Sequence, residues 1–312
     1  MATQQDHPRA VDPQTRSLPS VEQCRRFYAQ EIRAVAGLDS HALVAAFARV
    51  SRESFLGPPP WLIGSGTSLR PAAYRATSDV RDLYHDVFVA LKGEKSLNNG
   101  QPGMIARLLA ALDLWEGMRV LHMGCGTGYY TAILAEVVGL DGAVTAVEVD
   151  PDLAAQAKTN LARYPNVQVL NQDGATLEPS PCDAILINAG VTHPHPAWLT
   201  SLTQSGVLVL PLAVGRTPAS ADALVVRIHR CGNRFAAEPV TVLTIFPSTS
   251  LRDPARQFQL NAAFESHRIL AVHSVRAEAH EPCQTCIVHT PGFCLCAEVP
   301  GSRKPPESSR PG

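Results

Sequence analysis

The stretch VLHMGCGTGYYTAILAE, residues 120–136, carries three glycines at alternate positions, Gly124, Gly126 and Gly128. The residues before the first of these glycines have the pattern of a buried strand, and those after the last glycine have the pattern of a helix. Glycine lets backbone amides approach a ligand that a Cβ atom would block. In open α/β sheets, ligands bind at the carboxyl ends of the strands. The stretch therefore predicts a ligand site at a strand-to-helix junction.

Acidic residues follow at the ends of the next two predicted strands. Glu148 lies 20 residues after Gly128, and Asp173 precedes Gly174 further on. A carboxylate at the first position can accept hydrogen bonds from both hydroxyls of a ribose. The G-x-G-x-G spacing differs from the G-x-G-x-x-G of dinucleotide sites and is closer to loops that hold S-adenosylmethionine. The predicted cofactor-binding residues are Gly124, Cys125, Gly126, Thr127, Gly128, Glu148, Val149, Asp173 and Gly174.

Simpler interpretations of the same residues stay open. The glycines alone could form only a tight turn. Cys125 is interpreted as a small buried residue and not as a nucleophile. Asp150 could replace Glu148 as the ribose ligand, but it precedes Pro151 and suits the N-cap of the next helix better.

Around this stretch, apolar runs alternate with helical patterns from about residue 103 to 215. This alternation predicts an α/β fold with a parallel sheet covered on both faces, followed by an antiparallel hairpin and a further helix. The predicted regions are a disordered tail (1–18), a helical and substrate-loop region (19–102), a cofactor-binding domain (103–250), a C-terminal extension with a cysteine cluster (251–299) and a second disordered tail (300–312).

Composition limits the class of protein. The chain has 312 residues with 27 basic and 28 acidic side chains, a formal net charge of −1. This balance argues against a nucleic-acid or membrane partner. The N-terminus lacks the apolar segment of a secretory signal, and no apolar run approaches the length of a membrane span. A cytoplasmic protein with reduced thiols is therefore expected.

The same residues resemble the protein-L-isoaspartate O-methyltransferase family, within the class I S-adenosylmethionine-dependent methyltransferases. The resemblance covers about residues 80 to 247 and rests on the following segments: GQPGMIARLLAALDLWEGMRVL, the glycine loop with Tyr129 behind it, CDAILINAGVTHPHPAWLTSLTQSGVLVLPL, and the hairpin VVRIHRCGNRF to VTVLTIFP. It implies a Rossmann-like, seven-stranded, mostly parallel sheet with a C-terminal antiparallel hairpin. It also implies carboxyl O-methylation of isoaspartyl or aspartyl residues in a protein or peptide, as in protein repair.

The sequence departs from the family pattern at two places. His122 stands where the family usually has an acidic residue that helps to hold the cofactor's methionine end. The family's Thr-x-Ser of the substrate loop falls on Asn98 and Gly100, unless an inserted loop gives the serine's place to Ser96. Asp86 resembles the family's Tyr-x-Asp, although it could be a solvated loop acid. The resemblance thus implies Ser96, Gly100 and Asp86 as catalytic candidates.

These departures keep other functions open: methylation of a different acceptor, such as a biosynthetic peptide or small molecule, or cofactor binding without catalysis. An ionised carboxylate needs no general base. A hydroxyl or amine acceptor would need one, and His193 and His195 are the candidates, although a surface loop is the favoured interpretation of that segment. Nucleic-acid methylation is disfavoured because the fourth strand ends in INAG and not in an Asn/Asp-Pro-Pro-aromatic motif. Monomer and dimer both stay open.

The C-terminal segment CQTCIVHTPGFCLC contains Cys283, Cys286, Cys294 and Cys296, with His289 between the two pairs. Cys-x-x-Cys suits two ligands of a tetrahedral zinc ion, but the second pair, Cys-x-Cys, has poorer spacing. Free thiols are therefore favoured, and no metal is predicted.

Overall fold

The computed structural model describes residues 18–66, 74–91, 97–217 and 220–300. Both predicted tails fall outside these ranges except at Leu18 and Pro300, and Ser96 lies outside them as well. The helices are α1 (Val21–Ala36), α2 (His41–Arg49), α3 (Pro102–Ala110), α4 (Tyr129–Val138), α5 (Pro151–Asn160), α6 (Pro196–Ser201) and α7 (Pro254–Glu265). The short 3₁₀ helices are Arg52–Phe55, Val80–Leu83 and Arg268–Ala271.

Within the described ranges, the strands form one small sheet near the N-terminus and one large sheet. The small sheet contains β1 (Trp61–Gly64), β2 (Arg75–Thr77) and β3 (Phe88–Val89). The large sheet contains β4 (Arg119–Met123), β5 (Ala143–Glu148), β6 (Val167–Asn171), β7 (Cys182–Ile187), β8 (Leu202–Thr217), β9 (Ser220–Cys231), β10 (Arg234–Ile245), β11 (Ser274–Arg276), β12 (Cys286–Thr290) and β13 (Phe293–Cys296).

The large sheet begins with a parallel block in the order β8-β7-β4-β5-β6. Strand β9 then pairs antiparallel with both β8 and β10. These seven strands confirm the predicted α/β class and its antiparallel hairpin. The block places the carboxyl ends of β4, β5 and β6 side by side along one edge of the sheet.

The predicted strand count is wrong, because the sheet has ten strands among the described residues. The three additional strands come from the C-terminal extension and lie in the order β11-β13-β12 beyond β10, each antiparallel to its neighbour. Only Phe235 and Ala236 of β10 pair with β11. The boundaries of the predicted regions stay a prediction, although the extension shares a sheet with the main fold.

Apolar side chains alternate between the two faces of the sheet, as the period of a strand requires. Along β4, Val120 joins a core beneath α1 to α4, whereas Leu121 and Met123 join a core on the other face. Trp198 of α6 and Leu260 of α7 are fully buried in that second core. Helices therefore cover both faces, as the alternating pattern predicts.

The helix ends explain where the chain turns. Ser20 and Gln23 form a reciprocal capping box that begins α1, and Gly37 ends the helix with a φ of +68°. The side chain of Asp150 accepts hydrogen bonds from the amides of Asp152 and Leu153 at the start of α5. The interpretation of Asp150 as an N-cap is thus confirmed.

A buried arginine joins the N-terminal region to the rest of the fold. The side chain of Arg52 is fully buried, and its guanidinium donates to the carbonyls of Leu83 and Val87. These bonds hold the chain that leads into β3.

Across the described ranges, the helices are too short or too polar to traverse a lipid bilayer.

Candidate functional site

The glycine loop connects β4 to α4. Gly124, Gly126 and Gly128 all have positive φ, at +74°, +56° and +95°. A Cβ at Gly124 would lie 3.1 Å from the carbonyl oxygen of Asn188, and one at Gly128 would lie 2.7 Å from Cδ1 of Leu161. The loop therefore requires glycine both for its backbone conformation and for the space around it.

Glu148 braces this loop from the end of β5. Its Oε2 accepts a hydrogen bond of 2.8 Å from the amide of Gly126, and its Oε1 accepts one of 3.1 Å from the amide of Asp150. The side chain is only 7% exposed. Each carboxylate oxygen has a second lone pair, so Glu148 retains the capacity to accept from a ligand.

Asp173 lies just beyond the end of β6. Its Oδ1 accepts hydrogen bonds from the amide of Ala175 at 2.9 Å and from the hydroxyl of Ser250 at 2.7 Å. A Cβ at Gly174 would lie 2.8 Å from Sδ of Met123, so that position also favours glycine. Asp173 thus connects the strand end to the segment that follows β10.

These elements converge on one cavity of about 1020 Å³. Eight of the nine predicted cofactor residues line it: Gly124, Cys125, Gly126, Thr127, Glu148, Val149, Asp173 and Gly174. Gly128 is the exception; it shapes the loop against Leu161 and does not line the cavity. Burial raises the pKa of the Cys125 thiol, which keeps it uncharged.

The predicted acceptor loop lines the same cavity, through Asn98, Asn99, Gly100 and Gln101. Gly100 has a φ of +78°, and its carbonyl accepts a hydrogen bond of 3.1 Å from the hydroxyl of Tyr130. Its amide donates to Oδ1 of Asn98 at 2.9 Å. Gly100 therefore lies in the site, as the sequence predicts, but it contributes only its backbone amide and carbonyl there.

Asp86 is not brought into the cavity. Its Oδ1 accepts a bond of 2.6 Å from the amide of Gly103, and its Oδ2 accepts one of 2.8 Å from Nε2 of Gln101. Both carboxylate oxygens bond to the start of α3, where the side chain caps the helix and holds Gln101, a residue of the cavity wall. The catalytic role of Asp86 stays a prediction. A helix N-terminus attracts an acid because its first amides lack partners within the helix.

Several lining residues escaped the sequence analysis. The segment after β10 contributes residues 246–251 to the cavity wall, and Trp198 donates from its indole to the carbonyl of Gly174 at 3.3 Å. Tyr130 lines the cavity and also bonds to Gly100. Its position directly after Tyr129 was the one signal available in the sequence.

The comparisons with known proteins agree with this geometry. The family model described as Protein-L-isoaspartate(D-aspartate) O-methyltransferase (PCMT) matches residues 75–233, half of the chain. The chain belongs to this family. A protein-L-isoaspartate O-methyltransferase of Thermotoga maritima is 32% identical over 180 residues, which are 56% of this chain and 51% of the relative. The family member of Methanothrix thermoacetophila is 34% identical over 55% of this chain and 74% of its own.

Solved structures share the fold. One protein-L-isoaspartate O-methyltransferase aligns with a TM-score of 0.58 at 24% identity, over 77% of this chain and 69% of its own. A Plasmodium falciparum member, solved in complex with S-adenosyl-L-homocysteine, aligns with a TM-score of 0.54 at 15% identity, over 72% of this chain and 98% of its own. The match to the Thermotoga relative spans about half of that protein's length.

Against the protein-L-isoaspartate O-methyltransferase pattern, His122 departs in charge as well as in residue type. It is fully buried, and its Nδ1 lies 2.9 Å from Oγ1 of Thr131. Burial lowers its pKa from 6.5 to about 4, so the imidazole is neutral at pH 7. His122 does not line the cavity, so the family's fixed negative charge has no replacement at this position.

The two histidines considered as bases are also placed elsewhere. His193 is buried beside Phe293, and burial, followed by the charge of Arg256, lowers its pKa to about 4. The side chain of His195 accepts from the amide of Ala197 at the start of α6. Neither residue lines the cavity of this family member.

Proposed function

We propose that this chain is an S-adenosylmethionine-dependent methyltransferase that esterifies the carboxylate of isoaspartyl or aspartyl residues in a protein or peptide. The observation that carries the proposal is the meeting of the glycine loop, Glu148 and Asp173 with the acceptor loop of residues 98–101 around one cavity. Family membership supports the same activity.

The residues present fit the cofactor. A Cβ at Gly126 would project towards Leu91, which also lines the cavity, so the missing side chain leaves the loop backbone open to a ligand. Glu148 would accept from the ribose hydroxyls, and Asp173 from the adenine amino group. S-adenosylmethionine, when bound, supplies a methyl group that its positive sulfonium activates for transfer.

The proposed reaction requires no general base from the chain. A carboxylate acceptor is already ionised at neutral pH, so the protein must position it and exclude water. Burial raises the pKa values of Tyr129 and Tyr130, which line the cavity as neutral phenols. Phe88, Leu91 and Ile105 add apolar surface to the wall. This environment favours transfer between two positioned reactants over reaction with water.

The activity is tested with radiolabelled cofactor and two peptides that differ only in carrying isoaspartate or aspartate. Base-labile label on the isoaspartyl peptide supports the proposal, because methyl esters hydrolyse in base. Calorimetric binding of S-adenosyl-L-homocysteine tests the site separately. Glu148→Gln should weaken binding about 10- to 100-fold, as expected for the loss of a charge-assisted hydrogen bond.

Glu265→Gln, the same charge change at an exposed residue of α7, is the matched control. If Glu148→Gln bound as tightly as this control, the cofactor assignment would be rejected. Normal binding without label on either peptide would retain the cofactor site and reject the isoaspartyl acceptor.

A second candidate function is methylation of a different carboxylate acceptor. The observation that favours it is Gly100, where a Cβ would lie 3.0 Å from Cγ1 of Ile105 on a backbone with positive φ. A serine at this position is therefore strained, and the hydroxyl that the family pattern offers to its substrate is absent from it. Base-labile label on small carboxylic acids, or on peptide carboxylates other than those of isoaspartate and aspartate, with none on the two matched peptides, would establish this alternative.

The remaining predictions concern the setting of the enzyme. A protein or peptide partner, the lack of a nucleic-acid partner and a cytoplasmic location rest on composition and family pattern alone. Size-exclusion chromatography with light scattering would decide between monomer and dimer.

A further inference from the structure

A cluster of sulfur and nitrogen ligands lies in the C-terminal extension, on the hairpin of β12 and β13 and on the segment that precedes it. It brings together His280, Cys286, His289 and Cys294, each with one ligand atom, and these four atoms all lie within 4.8 Å of one another. None of the four lines the cavity. The cluster therefore requires an explanation other than methyl transfer.

The spacing within this ligand cluster matches a tetrahedral metal site. Bonds of about 2.3 Å from zinc to sulfur and about 2.0 Å to nitrogen place sulfur and nitrogen ligands about 3.5 Å apart. The Sγ of Cys286 lies 3.6 Å from Nε2 of His280. The rings of His280 and His289 meet edge to face, with centroids 4.7 Å apart, so two imidazoles share the same small volume.

The hairpin of β12 and β13 assembles the cluster. In its register His289 lies opposite Cys294, and Cys286 lies opposite Cys296. Cys286 and His289 are three residues apart, which would place them on opposite faces of a regular strand. The register shifts between Cys286 and Val288, and this irregularity allows both side chains to reach the cluster.

Each of the two imidazoles has one ring nitrogen available to bind a metal ion. Nδ1 of His280 lies 3.1 Å from the carbonyl of Glu278, an arrangement that places its proton on Nδ1 and leaves Nε2 as a ligand towards Cys286. Metal-binding histidines commonly donate their other N–H to a backbone carbonyl in this way. Nδ1 of His289 is buried and has no hydrogen-bond partner within the described residues. Such an atom is costly to leave unpaired, and a metal ion satisfies it.

We propose that His280, Cys286, His289 and Cys294 bind one Zn²⁺ ion in a closed, structural site. Two thiolates and two imidazoles are a common ligand set for structural zinc. With four protein ligands no position is left for substrate, so the ion would hold β12, β13 and the segment around His280 together at the end of the sheet. This proposal departs from the sequence-based prediction of no metal.

Two neighbouring thiols require a decision about the ligand set. Sγ of Cys283 lies 3.5 Å from Sγ of Cys286, and Sγ of Cys296 lies 3.3 Å from Sγ of Cys294. Neither Cys283 nor Cys296 belongs to the set of residues whose ligand atoms all lie within 4.8 Å of one another, so the four proposed ligands are the ones that converge. The competing explanation of the cluster is a pair of disulfides between these neighbours, which would consume four thiols and hold no metal.

The test measures metal content in the full chain, purified under reducing conditions without chelator. Inductively coupled plasma mass spectrometry should find about one zinc ion per chain, and Cys286→Ser and His289→Ala should each reduce it at least fivefold. Cys231→Ser, which alters an exposed cysteine outside the cluster, should retain the full content. Less than one tenth of an ion in the wild-type chain, or full content in both cluster variants, would overturn the proposal.

A second measurement avoids variants that fail to fold. Wild-type protein stripped by a chelator should take up one Co²⁺ per chain, with the intense visible bands of tetrahedral cobalt and a thiolate charge-transfer band. Zinc should displace that signal and raise the thermal midpoint. Octahedral cobalt spectra would reject the zinc site in favour of weak metal binding. A thiol titration that finds four fewer free thiols in the untreated protein would reject it in favour of two disulfides. Neither readout depends on methyl transfer, so the result is independent of the proposed function.

Discussion

The glycine loop yields a quantitative prediction about stability through Gly128→Ala. At this position φ is +95°, and the added Cβ would meet Cδ1 of Leu161 at 2.7 Å and its Cγ at 3.0 Å. Leu161 is 2% exposed and cannot move freely. A left-handed backbone costs an L-residue about 1 kcal/mol or more, and forcing an extra carbon into a packed core costs about 1–3 kcal/mol. We expect Gly128→Ala to lower the free energy of unfolding by about 3 kcal/mol.

Gly37→Ala measures the cost of the backbone conformation without a clash, so the difference between the two variants gives the cost of the clash. Gly37 also has a positive φ, +68°, but a Cβ there would meet nothing within 4 Å. This variant should show the backbone cost alone, about 1 kcal/mol. Urea denaturation followed by circular dichroism measures both changes against the wild-type chain.

Leu161→Ala completes a double-mutant cycle. Alone it should destabilise by about 3 kcal/mol, as for other buried leucines. Combined with Gly128→Ala it should cost about 2 kcal/mol less than the sum, because the truncated side chain makes room for the new Cβ. Equal destabilisation by the two glycine variants, together with additive behaviour in the cycle, would refute the packing argument.

Three further predictions test buried polar groups. The pKa of His122 is about 4 in the folded state and 6.5 in the unfolded state, so the unfolded state binds the extra proton as pH falls. Stability should therefore decline between pH 6.5 and 4, and wild type should lose about 2 kcal/mol more than His122→Asn between pH 7 and 5 in urea unfolding. Asp86→Ala should lower the thermal midpoint through loss of about 1 kcal/mol of capping at Gly103, while the Kd for S-adenosyl-L-homocysteine stays within threefold. A much larger loss of binding would support a direct role for Asp86 in the site. Arg52→Lys should destabilise by about 2 kcal/mol in denaturant titrations, because an ammonium cannot reproduce the planar set of donors to carbonyl oxygens; an unchanged midpoint would contradict this.

The side of the cavity around the glycine loop was predictable because its signals are local. The residues of the glycine loop are contiguous. Glu148 is the last residue of β5, and Asp173 lies two residues beyond the end of β6. Parallel strands place their carboxyl ends together, so a correct order of elements is enough to assemble these residues. The side chain of Asp150 was assigned from Pro151 next to it, another local signal.

The placement of the other lining residues depends on contacts that no local pattern encodes. Tyr130 bonds to a carbonyl 30 residues earlier, and Ser250 bonds to Asp173 across 77 residues. The role of Asp86 depends on how its loop meets the start of α3, which sequence spacing does not specify. Resemblance alone therefore did not predict its hydrogen bonds to Gln101 and Gly103.

The C-terminal extension was hardest to predict, for two physical reasons. Strands β11 and β13 have only three and four residues, too few to display a convincing alternation. In the ligand cluster, His280 meets residues of the hairpin across a turn. The sequence pattern instead suggested the four cysteines as candidate ligands. An irregular register cannot be inferred from residue spacing, so the histidine ligands were not selected.

Strand β10 has a consequence for association between molecules. Beyond Ala236 and the neighbouring Ala237, no strand of the described chain pairs with its outer edge, which leads towards the wall of the cavity. Exposed strand edges invite pairing with other chains. Pro239 lies in this edge, at the point where the register with β9 shifts, and it has no N–H to offer to a neighbouring strand. A single proline thus discourages edge-to-edge polymerisation on a strand whose last residues line the cavity.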